Sequence, residues 1–391
     1  MDKTYTRKLS VSERLWLGAN RVYPPFANQF VVEGRGNIDY ADLRHAVEVA
    51  SQANPGSRLV LKGFFSGCRW VDSGITPPVR VVAGSNWDGR SSDNAPFLKR
   101  DLPSKGPTCE VVYIQGQMTR IAFRSSHAVM DGVGTFFWME DIFRVLRSEA
   151  PIGSTSTISD YELIESVSDR KEKPENIYSV APTGLAGKKA QGTSWKRITI
   201  TGSYSNLIGQ IAVVMAKSAW AHQEGRFRVA TAVDLRQRVE CLRSTGNLSN
   251  TIYFEITKDS TPESVAKDLR RQLDNKNYLV NVDREMNINL MPIWLIGFTL
   301  WMASKAALRK NLFSIPICIS NVGRVDDRNF NCDGFVAESF FGIPLTGDGT
   351  PAFVGIAGMS GKIEILTRMP NMLADNGRLD KLVEDIRKIF T

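Results

Sequence analysis

The sequence predicts a mixed α/β (α+β) protein built as two similar halves. Both halves alternate amphipathic helical segments with short strand-like runs that end at glycine or proline. The chain has 391 residues, which is more than one ordinary domain. The polar segment 151–194, punctuated by Gly and Pro, separates residues 1–150 from residues 195–391. We interpret it as a linker or surface crossover between an N-terminal and a C-terminal lobe.

The N-terminal half contains recognisable helix and strand patterns. A helix is predicted over residues 38–51, because Leu43 and Val47 recur on one face and Asp39 can cap its start. A second helix is predicted from about Gly134, where large apolar residues recur at helical spacing. Strands are predicted at 58–65, 79–82, 109–115 and 119–124.

The C-terminal half repeats this mixture of elements. Its helices are predicted at 206–221, 262–279 and 379–390. Its strands are predicted at 195–201, 226–232, 251–256, 315–319, 352–356 and 362–366. No repeat of 20–50 residues that would indicate a solenoid or propeller is visible.

The composition is typical of a globular protein in a reducing compartment. Hydrophobic residues make up 42% and charged residues 23%, with a mean hydropathy of −0.18. The five cysteines are an odd number without Cys-x-x-Cys spacing, which argues against a disulfide framework and a cysteine zinc site. The first sixteen residues lack the apolar run of a secretory signal. We therefore expect a cytoplasmic protein without a metal centre.

The charge balance restricts the partners without choosing among them. Lys and Arg number 49 against 41 Asp and Glu, which gives a formal charge of +8 and a pI of about 9.2. Such a balance suits a phosphate-bearing cofactor, an acidic carrier protein, nucleic acid or an anionic membrane surface. No basic run is long enough to form a nucleic-acid tail, so we expect no nucleic-acid partner.

One short segment concentrates residues that can carry chemistry. Only three histidines occur in the chain, and one of them begins the run His127-Ala-Val-Met-Asp131-Gly132 between a predicted strand and a predicted helix. An imidazole near neutral pKa can take a proton from an alcohol or amine that attacks a carbonyl. A carboxylate in such a turn can be held by an arginine, which keeps the loop rigid. The glycine amide can face a developing oxyanion. We predict His127, Asp131 and Gly132 as the catalytic group.

This segment resembles the active-site motif of the chloramphenicol-acetyltransferase-like (HxxxD) acyltransferase superfamily. Its members include nonribosomal peptide condensation domains, polyketide-associated acyltransferases and wax-ester synthases. Further segments are similar to these groups in the expected order: 9–17, 232–238, 246–251, 320–323 and 361–365. Two departures are visible. Ser126 stands where condensation domains usually have a first histidine, and the Asp-Phe-Gly-Trp-Gly segment of plant acyltransferases is absent.

The resemblance implies two chloramphenicol-acetyltransferase-like lobes with a tunnel between them and His127 at its middle. It also implies that His127 is the general base and that Asp131 pairs with Arg236. The oxyanion donor is Gly132 or, from the other lobe, Ser320 or Asn321. No cofactor is expected to stay bound, and a coenzyme A or phosphopantetheine thioester is the co-substrate.

The function predicted in this way is acyl transfer by a monomer. The donor is acyl-CoA or an acyl or peptidyl carrier protein, the acceptor is an alcohol or amine, and no covalent acyl-enzyme forms. One alternative is a free-standing condensation enzyme that makes amides on carrier-bound substrates. Another is a non-catalytic domain that only recruits a carrier protein or partner.

The most apolar segment of the chain is 290–303, which contains Trp294, Phe298 and Trp301. Its 14 residues fall short of the roughly 20 that span a bilayer, so a buried helix is the default expectation. The alternatives are a lining for the acyl site or a peripheral contact with a membrane, helped by the basic residues that follow: Lys305, Arg309 and Lys310.

Overall fold

The computed structural model describes residues 5–84, 86–172, 177–188, 192–282, 288–315 and 317–390. The helices are α1 (Val11–Val22), α2 (Tyr40–Ala53), α3 (Gly132–Leu146), α4 (Asp160–Val167), α5 (Leu207–Trp220), α6 (Pro262–Asp274), α7 (Ile293–Lys310), α8 (Asn371–Ala374) and α9 (Arg378–Arg387). The strands are β1 (Thr6–Lys8), β2 (Ala27–Gly36), β3 (Leu59–Lys62), β4 (Arg69–Asp72), β5 (Val79–Ala83), β6 (Cys109–Gln115), β7 (Thr119–Ser126), β8 (Lys171–Glu172), β9 (Thr193–Thr201), β10 (Phe227–Asp234), β11 (Ser249–Ile256), β12 (Asn281–Val282), β13 (Ile317–Val325), β14 (Phe335–Ile343), β15 (Phe353–Met359) and β16 (Lys362–Pro370). The mixed α/β prediction is confirmed, and every predicted helix and strand is present with its ends shifted by a few residues.

The first lobe is built on a five-stranded sheet in the order β14-β2-β7-β6-β5. Helices α2 and α3 cover one face of this sheet. Trp138 and Phe143 of α3 are fully buried there, and the Trp138 ring meets Phe123 of β7 edge to face at 6.3 Å. Burying each such ring stabilises the fold by about 1.5–3 kcal/mol. The end of β7 is thereby fixed against the start of α3.

The second lobe is built on a six-stranded sheet in the order β11-β10-β13-β15-β16-β9. Helices α5 and α9 bury an apolar face against it through residues such as Ile211, Met215 and Ile386. Strands β10 and β13 are parallel and pair through Val229–Ile317 and Ala230–Cys318. The carboxyl end of β10 leads directly to the turn that contains Arg236.

One strand crosses between the halves. Residues 335–343 belong to the C-terminal half in sequence, yet β14 pairs antiparallel with β2 of the first lobe, from Phe335 opposite Gly36 to Ile343 opposite Gln29. The division into residues 1–150 and 195–391 therefore does not separate the two sheets. The sequence pattern did not reveal this strand, because consecutive Phe340 and Phe341 are both buried and a register shift between Ala337 and Ser339 interrupts its pairing.

Contacts between side chains join the lobes near this crossing. Arg197 of β9 donates to the carboxylate of Glu33 of β2 at 2.8 Å and lies 4.0 Å from the centre of the Phe341 ring. Trp195 of β9 meets Trp87 edge to face at 6.3 Å. The lobes thus share a buried interface, which restricts their relative movement.

The segment 151–194, which we interpret as a linker or surface crossover, contains a helix that is anchored to the second lobe. Helix α4 lies inside this segment and begins with a capping box between Ser159 and Glu162. Leu163 and Ile164 are buried in a cluster with Leu235 and Leu248 of the second lobe. The polar composition reflects the solvent side of this crossover, while its few apolar residues attach it to the core.

A buried helix is the default expectation for residues 290–303. The helix is present, but one of its sides is exposed and not buried. Helix α7 packs on α1, where Gly18 faces Ile296 and Gly297 closely. Its opposite side carries Trp294, Phe298 and Trp301, and all three are exposed. A segment that is apolar on every side does not show from its sequence which side the protein covers.

Candidate active site

His127 lies in the tight connection between β7 and α3. Strand β7 ends at Ser126, and α3 begins at Gly132. The backbone N–H groups of Val129 and Met130 both donate to the Ser126 carbonyl, at 2.9 and 3.2 Å. This turn fixes the direction in which the His127 side chain leaves the sheet, and the predicted strand-end position of His127 is confirmed.

Asp131 is the N-cap of α3 and the centre of a dense set of hydrogen bonds. Its Oδ1 accepts from the Gly134 N–H at 2.7 Å, as an N-cap carboxylate does. The guanidinium of Arg236 donates to both of its oxygens, at 2.9 and 3.0 Å. Its Oδ2 also accepts from the Leu248 N–H at 2.7 Å. Four donors therefore surround a side chain that is only 4% exposed.

Arg236, like Asp131, makes several hydrogen bonds to other groups of the protein. Besides Asp131, it donates to the carbonyls of Ser244 at 2.8 Å and Gly246 at 2.7 Å and to the Asp234 carboxylate at 2.7 Å. Burial lowers the pKa of Arg236, but the charges and hydrogen bonds of Asp131 and Asp234 outweigh it and raise the pKa above its usual value. The pairing of Asp131 with Arg236 that the resemblance implies is present.

The segment 244–248 closes over the start of α3. It supplies the Ser244 and Gly246 carbonyls to Arg236 and the Leu248 amide to Asp131. A methyl group added at Gly134 would overlap the Thr245 carbonyl oxygen. The backbones of the two lobes meet here without room for a side chain.

Three donors hold the backbone carbonyls of the His127 loop. The Asn247 amide donates to the His127 carbonyl at 2.6 Å, from the second lobe. Arg7 donates to the Val129 carbonyl at 2.9 Å, and Asn28 donates to the Met130 carbonyl at 2.7 Å. A loop held at this many points is preorganised, so little of its freedom is lost when a substrate binds.

The imidazole of His127 is half-buried among aromatic rings. Its centre lies 4.9 Å from the Trp16 ring of α1 and 6.0 Å from the Phe26 ring. Burial lowers the pKa of His127 to about 4, although the charge of Asp131 acts in the opposite direction. The Nδ1 atom is enclosed and makes no hydrogen bond of normal geometry, whereas Nε2 is not enclosed in this way. Of the two ring nitrogens, Nε2 is thus the less enclosed.

Gly132 is the first residue of α3. No described residue accepts a hydrogen bond from its N–H, and the first turn of a helix offers no internal acceptor. The position also carries the positive end of the helix dipole. Its amide therefore meets the chemical requirements of an oxyanion donor.

Ser320 and Asn321 lie on β13 of the second lobe. Ser320 stands opposite Gly355 in the β13–β15 pair, and the exposed Asn321 side chain accepts from the Gly323 N–H at 2.9 Å. None of the hydrogen bonds described for these two residues joins them to the His127 loop. The predicted acyl-site residues Trp294, Phe298 and Trp301 lie on the outer side of α7, a placement that does not favour an acyl-site lining.

Sequence reasoning did not assign roles to four residues that support the loop. Trp16 and Asn247 fall in the segments 9–17 and 246–251, so the resemblance itself was the signal that could have selected them. Arg7 and Asn28 lie beside strand ends, where polar residues are usually exposed, and they gave no comparable signal.

The described part of the chain lacks two kinds of feature. It contains no group of three His, Cys, Asp or Glu side chains arranged to hold a metal ion. None of its helices is both long and apolar enough to cross a bilayer.

Solved structures share this architecture over nearly the whole chain. The first condensation domain of the calcium-dependent antibiotic synthetase, in complex with a substrate analogue, matches with a TM-score of 0.66 at 13% identity, covering 98% of this chain and 95% of that one. This chain has the condensation-domain fold. Polyketide synthase associated protein 5 from Mycobacterium tuberculosis shares that fold, with a TM-score of 0.64 at 13% identity and coverage of 98% and 96%.

The condensation-domain fold does not by itself select a reaction. The epimerization domain from the third module of tyrocidine synthetase B matches with a TM-score of 0.57 at 14% identity, covering 99% of this chain and 96% of that domain. No family model matches the chain, and neither does any curated protein sequence. Any reaction of this chain therefore depends on the residues around His127 and not on the fold alone.

Proposed function

We propose that this protein is an acyltransferase that moves an acyl group from a thioester donor to an alcohol or amine. The donor is acyl-CoA or an acyl carrier protein. The observation that carries the proposal is the state of His127, whose loop is held by both lobes and whose Nε2 atom is the less enclosed ring nitrogen. Because burial lowers its pKa to about 4, the imidazole is neutral at pH 7 and can accept a proton.

The proposed reaction moves one proton and exchanges one bond. As the acceptor oxygen or nitrogen attacks the thioester carbonyl, its proton passes to Nε2 of His127. The carbonyl oxygen becomes an oxyanion, and the carbon–sulfur bond then breaks. The thiolate leaves and takes the proton back from the imidazolium. The low pKa of His127 means that the imidazolium is costly in its buried surroundings. The imidazolium is therefore short-lived and returns its proton readily.

Asp131 serves this reaction as a positioning residue. All four hydrogen bonds described for its oxygens come from Arg236 and backbone amides, so the carboxylate offers no obvious place for a substrate. Its negative charge favours the imidazolium, which is the direction of its effect on the pKa of His127. Asp131 therefore fixes the loop and helps to stabilise the transient charge.

The Gly132 amide is the proposed donor to the oxyanion. It combines a free N–H with the positive end of α3, and such donors are typically worth 10²–10³-fold in rate. Ser320 and Asn321 remain the second candidate, since a substrate between the lobes can meet β13 as well.

Direct transfer agrees with the state of the nearby nucleophiles. Ser125 is buried with its hydroxyl 2.6 Å from that of Thr135, and Ser126 is buried as well. Burial raises the pKa of the Cys318 thiol to about 12, so it is not a thiolate at pH 7. These groups do not favour a covalent acyl-enzyme.

The condensation domains among the matching structures support a second candidate. In this alternative the enzyme forms amides, and both substrates are attached to carrier proteins. The residues of the His127 loop suit both reactions, because an amine and an alcohol lose a proton to the same base. The two candidates differ in the acceptor and its carrier.

The deciding experiment incubates the purified protein with acyl donors and acceptors. Acyl-CoA thioesters from acetyl to palmitoyl, and the same acyl groups on a phosphopantetheine carrier, are each combined with a panel of alcohols and amines. Free thiol release and the mass of the acylated product are measured together. Turnover that is lost in His127→Ala supports the proposal. Absence of turnover above His127→Ala with every pair contradicts it and favours a carrier-recruiting domain.

A further inference from the structure

We propose that the outer face of α7 docks this protein on the surface of an anionic phospholipid bilayer. The face consists of Trp294, Phe298, Trp301 and Met302, which are 57%, 52%, 38% and 50% exposed. Large apolar side chains that cluster on the surface of a protein mark an interaction site, whereas isolated ones are ordinary. This proposal does not depend on the reaction at His127.

These residues form one stripe along the helix. Positions 294, 298, 301, 305 and 309 recur at spacings of three and four, so they share one side of α7. The aromatic residues occupy the amino-terminal part of the stripe, and Lys305 and Arg309 continue it. From Trp294 to Arg309 the stripe is about 22 Å long. The opposite side of the helix is buried on α1.

The charged residues of α7 itself are all basic. Between Leu290 and Lys310 the sequence contains no Asp or Glu. Lys305 lies 3.5 Å from the Asp348 carboxylate, while Arg309 and Lys310 make no ion pair with any described residue. Each free basic residue near an anionic membrane strengthens binding by about fivefold. The chain as a whole carries +8, which adds to the attraction.

The chemistry of the face fits a lipid surface. Tryptophan and phenylalanine are favoured at the boundary between head groups and acyl chains, and basic residues are favoured beside anionic head groups. Helix α7 is not apolar enough to cross a bilayer, so the fitting arrangement is a helix that lies in the interface. Only its outer stripe then enters the membrane, and the α1 side stays in the protein.

This arrangement places the membrane close to the candidate active site. Helix α7 packs on α1, and α1 carries Trp16, whose ring lies 4.9 Å from that of His127. Helix α1 therefore contacts both α7 and the imidazole of His127.

The test measures co-sedimentation of the full chain with vesicles. One set contains phosphatidylcholine alone, and another contains equal parts of phosphatidylcholine and phosphatidylserine. We expect binding to the anionic vesicles that weakens with salt and is accompanied by a blue shift of tryptophan emission. Two variants should each bind the anionic vesicles at least tenfold more weakly than the wild type. One is the triple variant Trp294→Ser, Phe298→Ser, Trp301→Ser, and the other is the double variant Arg309→Glu, Lys310→Glu.

A matched control separates local from overall charge. Lys267→Glu with Arg270→Glu on α6 changes the net charge by the same amount as the α7 double variant, at exposed positions without an ion pair to a described residue. This control should bind nearly as well as the wild type. Three outcomes would overturn the proposal. The two double variants could lose vesicle binding to the same extent, the wild type could bind neither vesicle, or the triple variant could bind as well as the wild type. A dimer in light scattering that the triple variant dissociates would also overturn it, because a second copy would then cover the face.

Discussion

The carboxylate of Asp131 in the first lobe and the guanidinium of Arg236 in the second face each other through two hydrogen bonds, at 2.9 and 3.0 Å. Every polar atom of the pair also has a further partner on the protein. The pair therefore holds the lobes together at the base of the His127 loop. Its predicted consequences concern both stability and activity.

Removal of either partner should destabilise the fold. Asp131→Ala or Arg236→Ala leaves the other charge buried, which costs about 3–5 kcal/mol in the free energy of unfolding. Urea unfolding of both single variants and the double variant measures the coupling between them. As a control, Asp385→Ala removes a partly exposed carboxylate that pairs with the exposed Lys381 and Lys388, and it should cost less than about 1 kcal/mol. An Asp131→Ala variant as stable as Asp385→Ala would contradict the structural role of the pair.

Replacement of His127 should separate activity from stability. His127→Ala removes the proposed base and should lower turnover by about 10²–10⁴-fold. Its melting temperature should change little, because the side chain is half-buried and its Nδ1 makes no hydrogen bond of normal geometry to a described residue. His222→Ala, far along the chain from the loop, serves as the control for loss of a histidine. Turnover at the wild-type level in His127→Ala would show that another group removes the proton.

The pH dependence follows from the lowered pKa of His127. A general base must be deprotonated, so kcat/KM should stay level from pH 8 down to about pH 5 and fall as the pH approaches 4. Since the folded pKa lies below the unfolded value of about 6.5, the unfolded chain binds the proton more readily in this range. Stability is therefore also expected to decline as the pH falls from about 6.5 towards 4. Circular dichroism at each pH identifies the range in which the enzyme is folded. A fall in kcat/KM centred near pH 6.5 in folded enzyme would contradict the buried imidazole.

Gly134 is expected to tolerate no side chain. A methyl group there would overlap the Thr245 carbonyl oxygen, so Gly134→Ala must push segment 244–248 away from α3 and weaken the Asp131–Arg236 pair. We expect a loss of stability of about 1–3 kcal/mol together with reduced turnover. Gly67 provides the matched control, because an added methyl group there meets no atom within 4 Å. Comparable melting temperatures for Gly134→Ala and Gly67→Ala would show that the lobes do not meet as described.

The site could be predicted from sequence where its signals are local. Asp131 stands before an apolar helical run, as an N-cap does, and His127 follows a strand. The pairing of Asp131 with Arg236 came from the resemblance, since no periodicity connects residues that are 105 positions apart.

The remainder depended on tertiary structure. The pairing of β14 with β2 joins residues about 300 positions apart, and the alternation of side chains in one strand does not identify its partner. The exposure of α7 could not be predicted for a related reason. An all-apolar segment has no polar face that would show which side of the helix is exposed to solvent. Trp16 illustrates the same limit, since only the fold brings its ring to His127.

The contact between Trp16 and His127 yields the last prediction. The Trp16 ring covers one side of the imidazole, and burial is the main cause of its low pKa. Trp16→Ala should admit water and raise the pKa of His127 from about 4 towards its usual 6.5. An NMR titration can follow this directly in a background of His45→Gln and His222→Gln, in which His127 is the single histidine.

The variant Trp16→Phe keeps an aromatic ring over His127 and should retain a pKa close to that of the wild type. Truncating a partly buried tryptophan also costs stability, so the titration is restricted to the pH range in which each variant remains folded. The acid limb of kcat/KM should move upward by the same amount as the titrated pKa, because both report one proton on one ring. A pKa that stays near 4 in Trp16→Ala would show that other groups enclose the imidazole. A shift of the titration without a shift of the activity limb would remove His127 from the proton transfer.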